Sequence, residues 1–584
     1  MQGLGEKFSP DLFTGTGNFS VPIAVPPGRN GLQPQLSLQY STGNGNSPFG
    51  LGWGLSVPNV SRKTSKGIPN YDDDLDTFIL SGAEDLVPVE KGIGFIRYQP
   101  RTEGIFARIF HFKDSLNDYW KVMTKDGLTS LYGTPSNKGN DPATVFDPND
   151  KSKIFSWHLT KTLDSFGSCI HYFYFSDLQI IGNRGWNQLY LSEIKYADYD
   201  DPAQPLFLIS IKFNYQSRSD AFSVFRQGFE IRTTKRCDSI ETFTHDTPNT
   251  LIRRYDIIYV DEKVLTGELA SAAQPMNGVS LLSEVRVTGY KDGQSETMPP
   301  LTMGYSVFQP DRHDLMRITG NDLPQYSLAT PGYELADLSG NGLPDIVEMT
   351  GGIIRYWKNL GNGAFDMPRQ MSEAPAGLFL GSPDVQFIDA NGDARIDLMV
   401  NSPNLSGYYS TEFGGGWSRK SFKKYDKAPS FSLQDPEVKL VDLNGDGITD
   451  AIRNGNRFEC FFHDPEQGWN KTKFVSKQQI QDFPNISFAD PRIRWADMSG
   501  DGMQDIVLIQ NGHIEYWANL GHGNFSTRIS MRQSPRFPYR YLPQNILLGD
   551  VDGDGLADII YVENNQITLW LNKSGNEWSE PIVI

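Results

Sequence analysis

The second half of the chain repeats one nine-residue acidic loop five times: DLSGNGLPD from Asp337, DANGDARID from Asp389, DLNGDGITD from Asp442, DMSGDGMQD from Asp497 and DVDGDGLAD from Asp550. The intervals are 52, 53, 55 and 53 residues. A fixed period of this length requires stacked supersecondary units, each too small to bury its own apolar face. In the first unit an apolar run at 333–336 enters the loop and a second, at 346–349, leaves it. A third, 353–357, ends at the turn Asn359-Leu360-Gly361-Asn362-Gly363, and Phe365 opens a fourth. Four short strands joined by Gly/Asn turns and repeated about every 50 residues read as propeller blades, because radial repetition lets each sheet bury its faces on its neighbours. The repeats predict about five four-stranded blades over residues 319–584. Trp357, Trp517 and Trp570 fall at one place in their units, with Tyr408/Tyr409 and Phe461/Phe462 in the other two. These aromatics are predicted to fill the space between blades.

Residues 1–318 show no such period. Strand-like runs recur there every 10 to 20 residues, and alternation such as Ile170-His171-Tyr172-Phe173-Tyr174 predicts an extended antiparallel β domain. The predicted fold class is therefore all-β, an extended antiparallel sheet domain followed by a propeller. The glycine-rich stretch STGNGNSPFGLGWGLS carries no GxxxxGK[ST] and no helix pattern follows it, so it is read as a sharply bent β segment and not a phosphate loop.

Each acidic loop offers oxygen ligands at positions 1, 3, 5 and 9, the donor set a hard cation such as Ca²⁺ requires. The candidate metal ligands are Asp550, Asp552, Asp554 and Asp558 in the fifth loop, Asp442, Asn444, Asp446 and Asp450 in the third, and Asp497, Ser499, Asp501 and Asp505 in the fourth. The second loop offers Asp389, Asn391, Asp393 and Asp397, with Ala394 replacing the turn glycine. The first, Asp337, Ser339, Asn341 and Asp345, is the poorest set. The same residue types also build turns by bonding their own backbone, so loops that hold themselves without metal are the competing expectation. Any metal here would rigidify the blades and not catalyse, because each ligand set is closed.

The chain contains no GxSxG and no HExxH, and its eight histidines do not cluster; His158 and His171 are expected to share a sheet as structural residues. The run Asp72 to Asp76, DDDLD, is read as a solvated loop. Cys169, Cys237 and Cys460 lack CxxC or His spacing and are expected to be buried small hydrophobes. The net charge of −17 argues against nucleic acid and favours a cation or a basic protein surface as partner. No secretory h-region opens the chain and no apolar run approaches the length of a membrane span. The expectation is a soluble protein, cytoplasmic before release and leaving the cell by lysis or a non-classical route, without direct membrane insertion.

The first-half series LSLQYSTGNGNSPFGLGW, RKTSKGIPNYDDDLDTFILSGAEDLVPV, YQPRTE, WHLTKTLDSFGSCIHYFY and QGFEIRTTKRC resembles the N-terminal domain of the SpvB family of Salmonella virulence-plasmid toxins. That domain also begins the B subunit of the Tc insecticidal toxin complexes, whose FG-GAP/VCBS-type propeller is similar to the second half here, down to the closing LWLNKSGNEWSEPI. The resemblance implies a non-catalytic part of a hollow shell built with an RHS/YD-repeat chain, and a propeller gate that docks on a channel-forming A-type subunit. No YD run, self-cleaving aspartate site or ExE motif of an ADP-ribosyltransferase is found, so the chain is either a fragment or meets the rest of the shell separately. Two other readings stand beside it: a calcium-dependent adhesion or ligand-binding propeller, and the delivery half of an SpvB-like ADP-ribosylating toxin.

Overall fold

A computed structural model describes residues 4–11, 15–82, 84–102, 104, 106–199, 206–246, 249–310, 316–350, 352–371, 373–402, 404–480, 483–563 and 565–584. Among them the chain is all-β, with one short α-helix, Val260–Leu265. Among the described residues no helix is long and apolar enough to cross a membrane. The chain divides into two compact units: Met1–Lys63, Pro69–Phe308 and Leu571–Ser579 in one, Thr64–Ile68, Gln309–Trp570 and Glu580–Ile584 in the other.

In the first unit eight strands close into a ring. Asn59–Arg62, Phe78–Leu80, Glu84–Gly92, Phe95–Pro100, Arg108–Lys113, Asp118–Met123, Thr129–Tyr132 and Asp150–Leu163 pair antiparallel in that order, and the last returns to the first through Trp157↔Val60. Period-two alternation decides what the ring encloses: Asp118, Trp120 and Val122 point inward from one strand while Tyr119, Lys121 and Met123 are partly exposed. Phe78, Tyr98, His111, Trp120 and Trp157 fill the interior, with His111 stacked on Trp120 at 4.3 Å.

The far half of Asp150–Leu163 pairs with Thr129–Tyr132 on one side and with Cys169–Ser176 on the other. The sheet continues through Leu189–Tyr199, Leu206–Val224, Ile231–Thr244, Thr250–Tyr259 and Leu282–Lys291. A separate sheet of Lys7–Pro10, Gly17–Ile23, Leu36–Ser41 and Trp53–Leu55 joins its core through the buried Val21, Leu38 and Trp53. The glycine-rich stretch is the tight return before Trp53: Gly52 has φ +79°, and a Cβ there would stand 2.4 Å from the Tyr40 ring. His158 and His171 do lie in neighbouring strands, and all three cysteines are buried.

Among the described residues the second unit contains five four-stranded antiparallel sheets, the predicted blades. Their inner strands are Tyr333–Ala336, Val385–Ile388, Val438–Val441, Ile493–Ala496 and Ile546–Gly549. Consecutive sheets share core clusters. Trp417 and Tyr409 pack with the first and second blades, Tyr408 and Phe461 with the second and third, and Trp517 with the third and fourth. The outer strand of the first blade differs from expectation. Ala364–Phe365 turns back on Asn359–Gly361 as a small hairpin, and the fourth strand is Arg369–Gln370. Positive φ at Gly361, Asn362 and Gly363 makes that reversal too tight for Phe365 to continue into the blade.

Candidate functional site

The five acidic loops share one internal hydrogen-bond plan. The position-1 aspartate accepts from the N–H of positions 4 and 6: Asp337 from Gly340 and Gly342, Asp389 from Gly392 and Ala394, Asp442 from Gly445 and Gly447, Asp497 from Gly500 and Gly502, Asp550 from Gly553 and Gly555, all at 2.7–2.9 Å. The position-5 side chain accepts from position 7, as Asp446 does from Ile448 at 2.8 Å and Asp554 from Leu556 at 2.9 Å. Asn391 and Asn444 at position 3 accept from the N–H two residues on. Position 6 is left-handed in every loop; Ala394, with φ +62°, carries strain that glycine avoids in the other four.

Position 9 is buried and ties the loop to its blade. Asp397 accepts from Ala390 and Thr411, Asp450 from Leu443 and His463, and Asp505 from Met498 and Asn519, at 2.8–3.2 Å. Asp345 accepts from Asn359 at 2.7 Å, and Asp558 from Val551 at 2.9 Å. Loops also chain to one another: the N–H of Thr449 donates to the Asp389 carbonyl at 2.9 Å, and that of Ala557 to the Asp497 carbonyl at 2.8 Å.

These donors offset only part of the cost of holding carboxylates together. Burial, reinforced by neighbouring loop carboxylates, pushes Asp397 and Asp497 up to about 6 and Asp554 up to about 8. It raises Asp450 and Asp505 well above the ordinary carboxylate range for the same reasons. In the fifth loop the carboxylate oxygens of Asp550, Asp552 and Asp558 lie within 4.8 Å of one another, a convergence found nowhere else among the described residues. That all-oxygen set fits a hard cation. In the second, third and fourth loops Asn391, Asn444 and Ser499 stand at position 3, and the Ser499 hydroxyl is buried without a partner.

The asparagine two residues after each of Trp357, Trp517 and Trp570 is a site residue beyond the acidic loops. Asn359 and Asn519 donate their own N–H to the position-9 aspartate, and their Oδ1 accepts from Gly361 and Gly521 at 2.9 Å. The recurrence WKNLG, WANLG and WLNKSG was the available signal.

In the first unit the DDDLD run is not simply solvated. Arg62, 2% exposed, binds Asp73 at 2.7 Å and Asp76 at 2.6 Å and donates to the Ile154 carbonyl, while Asp74 stays in solvent. His111 and Asp118 make a buried pair at 2.9 Å, with the imidazole stacked on Trp120.

The profile of the family described as Salmonella virulence plasmid 65kDa B protein matches residues 12–201 and 187–245. That of the FG-GAP-like repeat matches residues 497–561. The chain thus matches the SpvB family model over part of its first half and the FG-GAP-like repeat over one segment of its second. The first match takes in the ring and the long sheet as far as Ile231–Thr244. The chain is 27% identical over 327 residues to the mono(ADP-ribosyl)transferase SpvB of Salmonella typhimurium, and equally to that of Salmonella dublin, alignments covering 45% of this chain and 54% of the relative. It thus spans about half the length of the curated relatives it matches. A chain of the Photorhabdus luminescens Tc holotoxin pore superposes with a TM-score of 0.83 at 27% identity, over 100% of this chain and 29% of that one. The TcdB2–TccC3 structure gives 0.71 at 25% identity, over 100% and 30%. The chain is similar to Tc-toxin components, and the relatives solved in those structures are parts of multi-chain assemblies.

Proposed function

We propose that the protein is a non-catalytic component of a bacterial Tc-like toxin complex. Its SpvB domain forms part of a shell that encloses a toxic cargo together with an RHS/YD-repeat chain. Its propeller is a gate that docks on a channel-forming subunit, and the assembly acts outside the producing cell after release by a non-classical route. The observation that carries this reading is superposition of the whole chain on one chain of a Tc holotoxin. Sheet edges support it: among the described residues Lys7–Pro10 pairs on one side only and is exposed throughout, and Gln294–Thr297 is likewise exposed. Such edges are association sites unless another strand covers them.

Within this reading Ca²⁺ in the fifth loop, held by Asp550, Asp552 and Asp558, has a structural role. It would neutralise a carboxylate cluster and fix the last blade.

The test is native isolation from the source, followed by identification of whatever co-elutes. Co-elution with a YD-repeat chain or a large channel-forming oligomer is expected. Elution as a lone species whose mass changes only with calcium or glycan would overturn the toxin-complex role in favour of adhesion.

A further inference from the structure

On a chain of net charge −17, residues 516–549 contain Arg528, Arg532, Arg536 and Arg540 and no aspartate or glutamate. The antiparallel order of the fourth blade fixes where they go. Ile493–Ala496, Asp505–Gln510, His513–Trp517 and Ile529–Met531 pair in sequence, which sends the acidic loop 497–504 to one end of the strands. The turn 511–512 and the connector 532–545 fall at the other end. Four connectors lead from an outer strand to the next inner strand: 371–384, 425–437, 476–492 and 532–545. The first three each carry at least two acidic residues, whereas the fourth carries three arginines and none.

This connector is built, not loose. Phe537, 5% exposed, packs its ring 5.0, 5.4 and 5.6 Å from those of Tyr541, Tyr561 and Trp570. Its N–H donates to Asn511 Oδ1 at 2.8 Å, and its carbonyl accepts from Asn511 Nδ2 at 3.1 Å. The N–H of Gly512 donates to the Pro535 carbonyl, and Pro535, Pro538 and Pro543 restrict the backbone further. Little conformational entropy remains to be lost on binding. Around this anchor Tyr539 is 95% exposed, and Arg536 and Arg540 are exposed as well. Among the described residues neither arginine has an ion-pair partner, whereas Arg492 on the preceding connector pairs with Asp490.

We propose that the connector 532–545 is a docking site for an acidic segment of a partner protein, its carboxylates pairing with Arg536 and Arg540 and its backbone packing on Tyr539. Arginine and tyrosine are the residue types that carry binding energy in protein interfaces, and the arginine fork matches a carboxylate. A nucleic-acid backbone is disfavoured, because the patch is short and the rest of the chain is strongly acidic. The inference deepens the docking role above by giving it a face and a chemistry, and rests on that reading only for the partner's membership of a toxin complex.

The test titrates the full chain into fluorescein-labelled poly-L-glutamate at low ionic strength, read by anisotropy. R536E/R540E is expected to weaken binding by about tenfold or more, and Tyr539→Ala by about threefold. K420E/K424E, a charge reversal of the same size on exposed lysines of the second blade, should change it less than about twofold. Thermal melting of all variants should match the parent, since these side chains are exposed. Unchanged binding by R536E/R540E overturns the proposal. So does binding of phosphatidylserine vesicles or duplex DNA as tight as that of poly-L-glutamate. A concentration-dependent dimer that R536E/R540E dissolves makes the occupant a second copy and overturns a separate acidic partner. No toxin chain enters the titration, so its failure leaves the co-elution result untouched, and the reverse holds.

Discussion

Asp505 and Asn519 are tied across the fourth blade: Oδ1 of the aspartate accepts the backbone N–H of the asparagine at 2.9 Å, while Oδ2 accepts that of Met498 at 3.0 Å. Asp505 is 1% exposed and Asn519 is fully buried. The last residue of the acidic repeat is thus a buried clasp between loop, second strand and the exit of the third. Asp505→Ala leaves two buried N–H groups without acceptors and is expected to cost about 2–4 kcal/mol, with Asp505→Asn costing less because one acceptor remains. Urea unfolding of the second unit, followed by hydrogen exchange of the Asp505–Gln510 amides, measures both. Equal losses for the two variants would remove the clasp from the account.

A cation is expected to matter most in the fifth loop. At a hundredfold excess over its dissociation constant, Ca²⁺ would add about 2.7 kcal/mol to whatever unfolds with the site. Asp552→Asn should abolish the calcium-induced rise in melting temperature, because Asp552 belongs to the convergent trio with Asp550 and Asp558. Asn341→Ala in the first loop should leave that rise intact. A chain whose melting is indifferent to calcium and to EDTA would show that the loops are held by their own backbone donors alone.

The acidic period made the five blades legible, since each loop announces a strand on either side, and the blade aromatics carry through to buried Trp357, Tyr408, Phe461 and Trp517. What was not legible is long-range or very short. The ring closes because Val60 meets Trp157, a pairing that no local alternation encodes. Arg62 finds Asp73 and Asp76 only once Phe78–Leu80 has folded back on Asn59–Arg62, so the run looked solvated. Arg369–Gln370 is two residues long and leaves no periodic trace, which is why the sequence points to Phe365 as the start of an outer strand. In the site, residue types identified the loops, but the same aspartates and asparagines serve a metal and a turn equally well.

Acid should act in opposite directions on the two units when EDTA removes any metal. Burial pushes His158 and His171 down to about 4, so between that value and about 6.5 the unfolded chain binds more protons than the folded one. The first unit therefore loses stability as pH falls through this window, by an amount on the order of 2 kcal/mol per histidine. Asp397 and Asp497 are raised to about 6, so the folded state holds the extra protons between about pH 4 and 6, and their contribution is lost as pH rises. His463, lowered to about 4 by burial, opposes them within the second unit. Hydrogen exchange corrected for intrinsic rates should show Asp150–Leu163 less protected at pH 5 than at pH 7. Asp397→Asn should flatten the acid stabilisation of the second blade. Parallel trends in both units would contradict the assignment.

The last prediction concerns Arg62, whose guanidinium is shared by Asp73, Asp76 and the Ile154 carbonyl and lies 4.9 Å from the centre of the Phe78 ring. Asp76 is further fixed by the N–H groups of Asn70 and Tyr71, at 2.8 and 2.9 Å, so it cannot swing into water when its partner is lost. Arg62→Leu then strands the buried carboxylate of Asp76 and leaves Asp73 to Lys113, and is expected to cost about 3–5 kcal/mol. Arg62→Lys keeps the charge, but a single ammonium does not span both carboxylates and the carbonyl, and about half that loss is expected. Asp74 lies between the two clamped residues, with its side chain 80% exposed and its contact to Lys91 at 3.8 Å. Asp74→Asn should therefore stay within about 0.5 kcal/mol of the parent. Denaturation followed through tryptophan fluorescence reads the clamp directly, because Trp157 stands over the same guanidinium at 5.9 Å. A loss for Asp74→Asn as large as for Arg62→Lys would return the run to a solvated loop whose charges act only in sum.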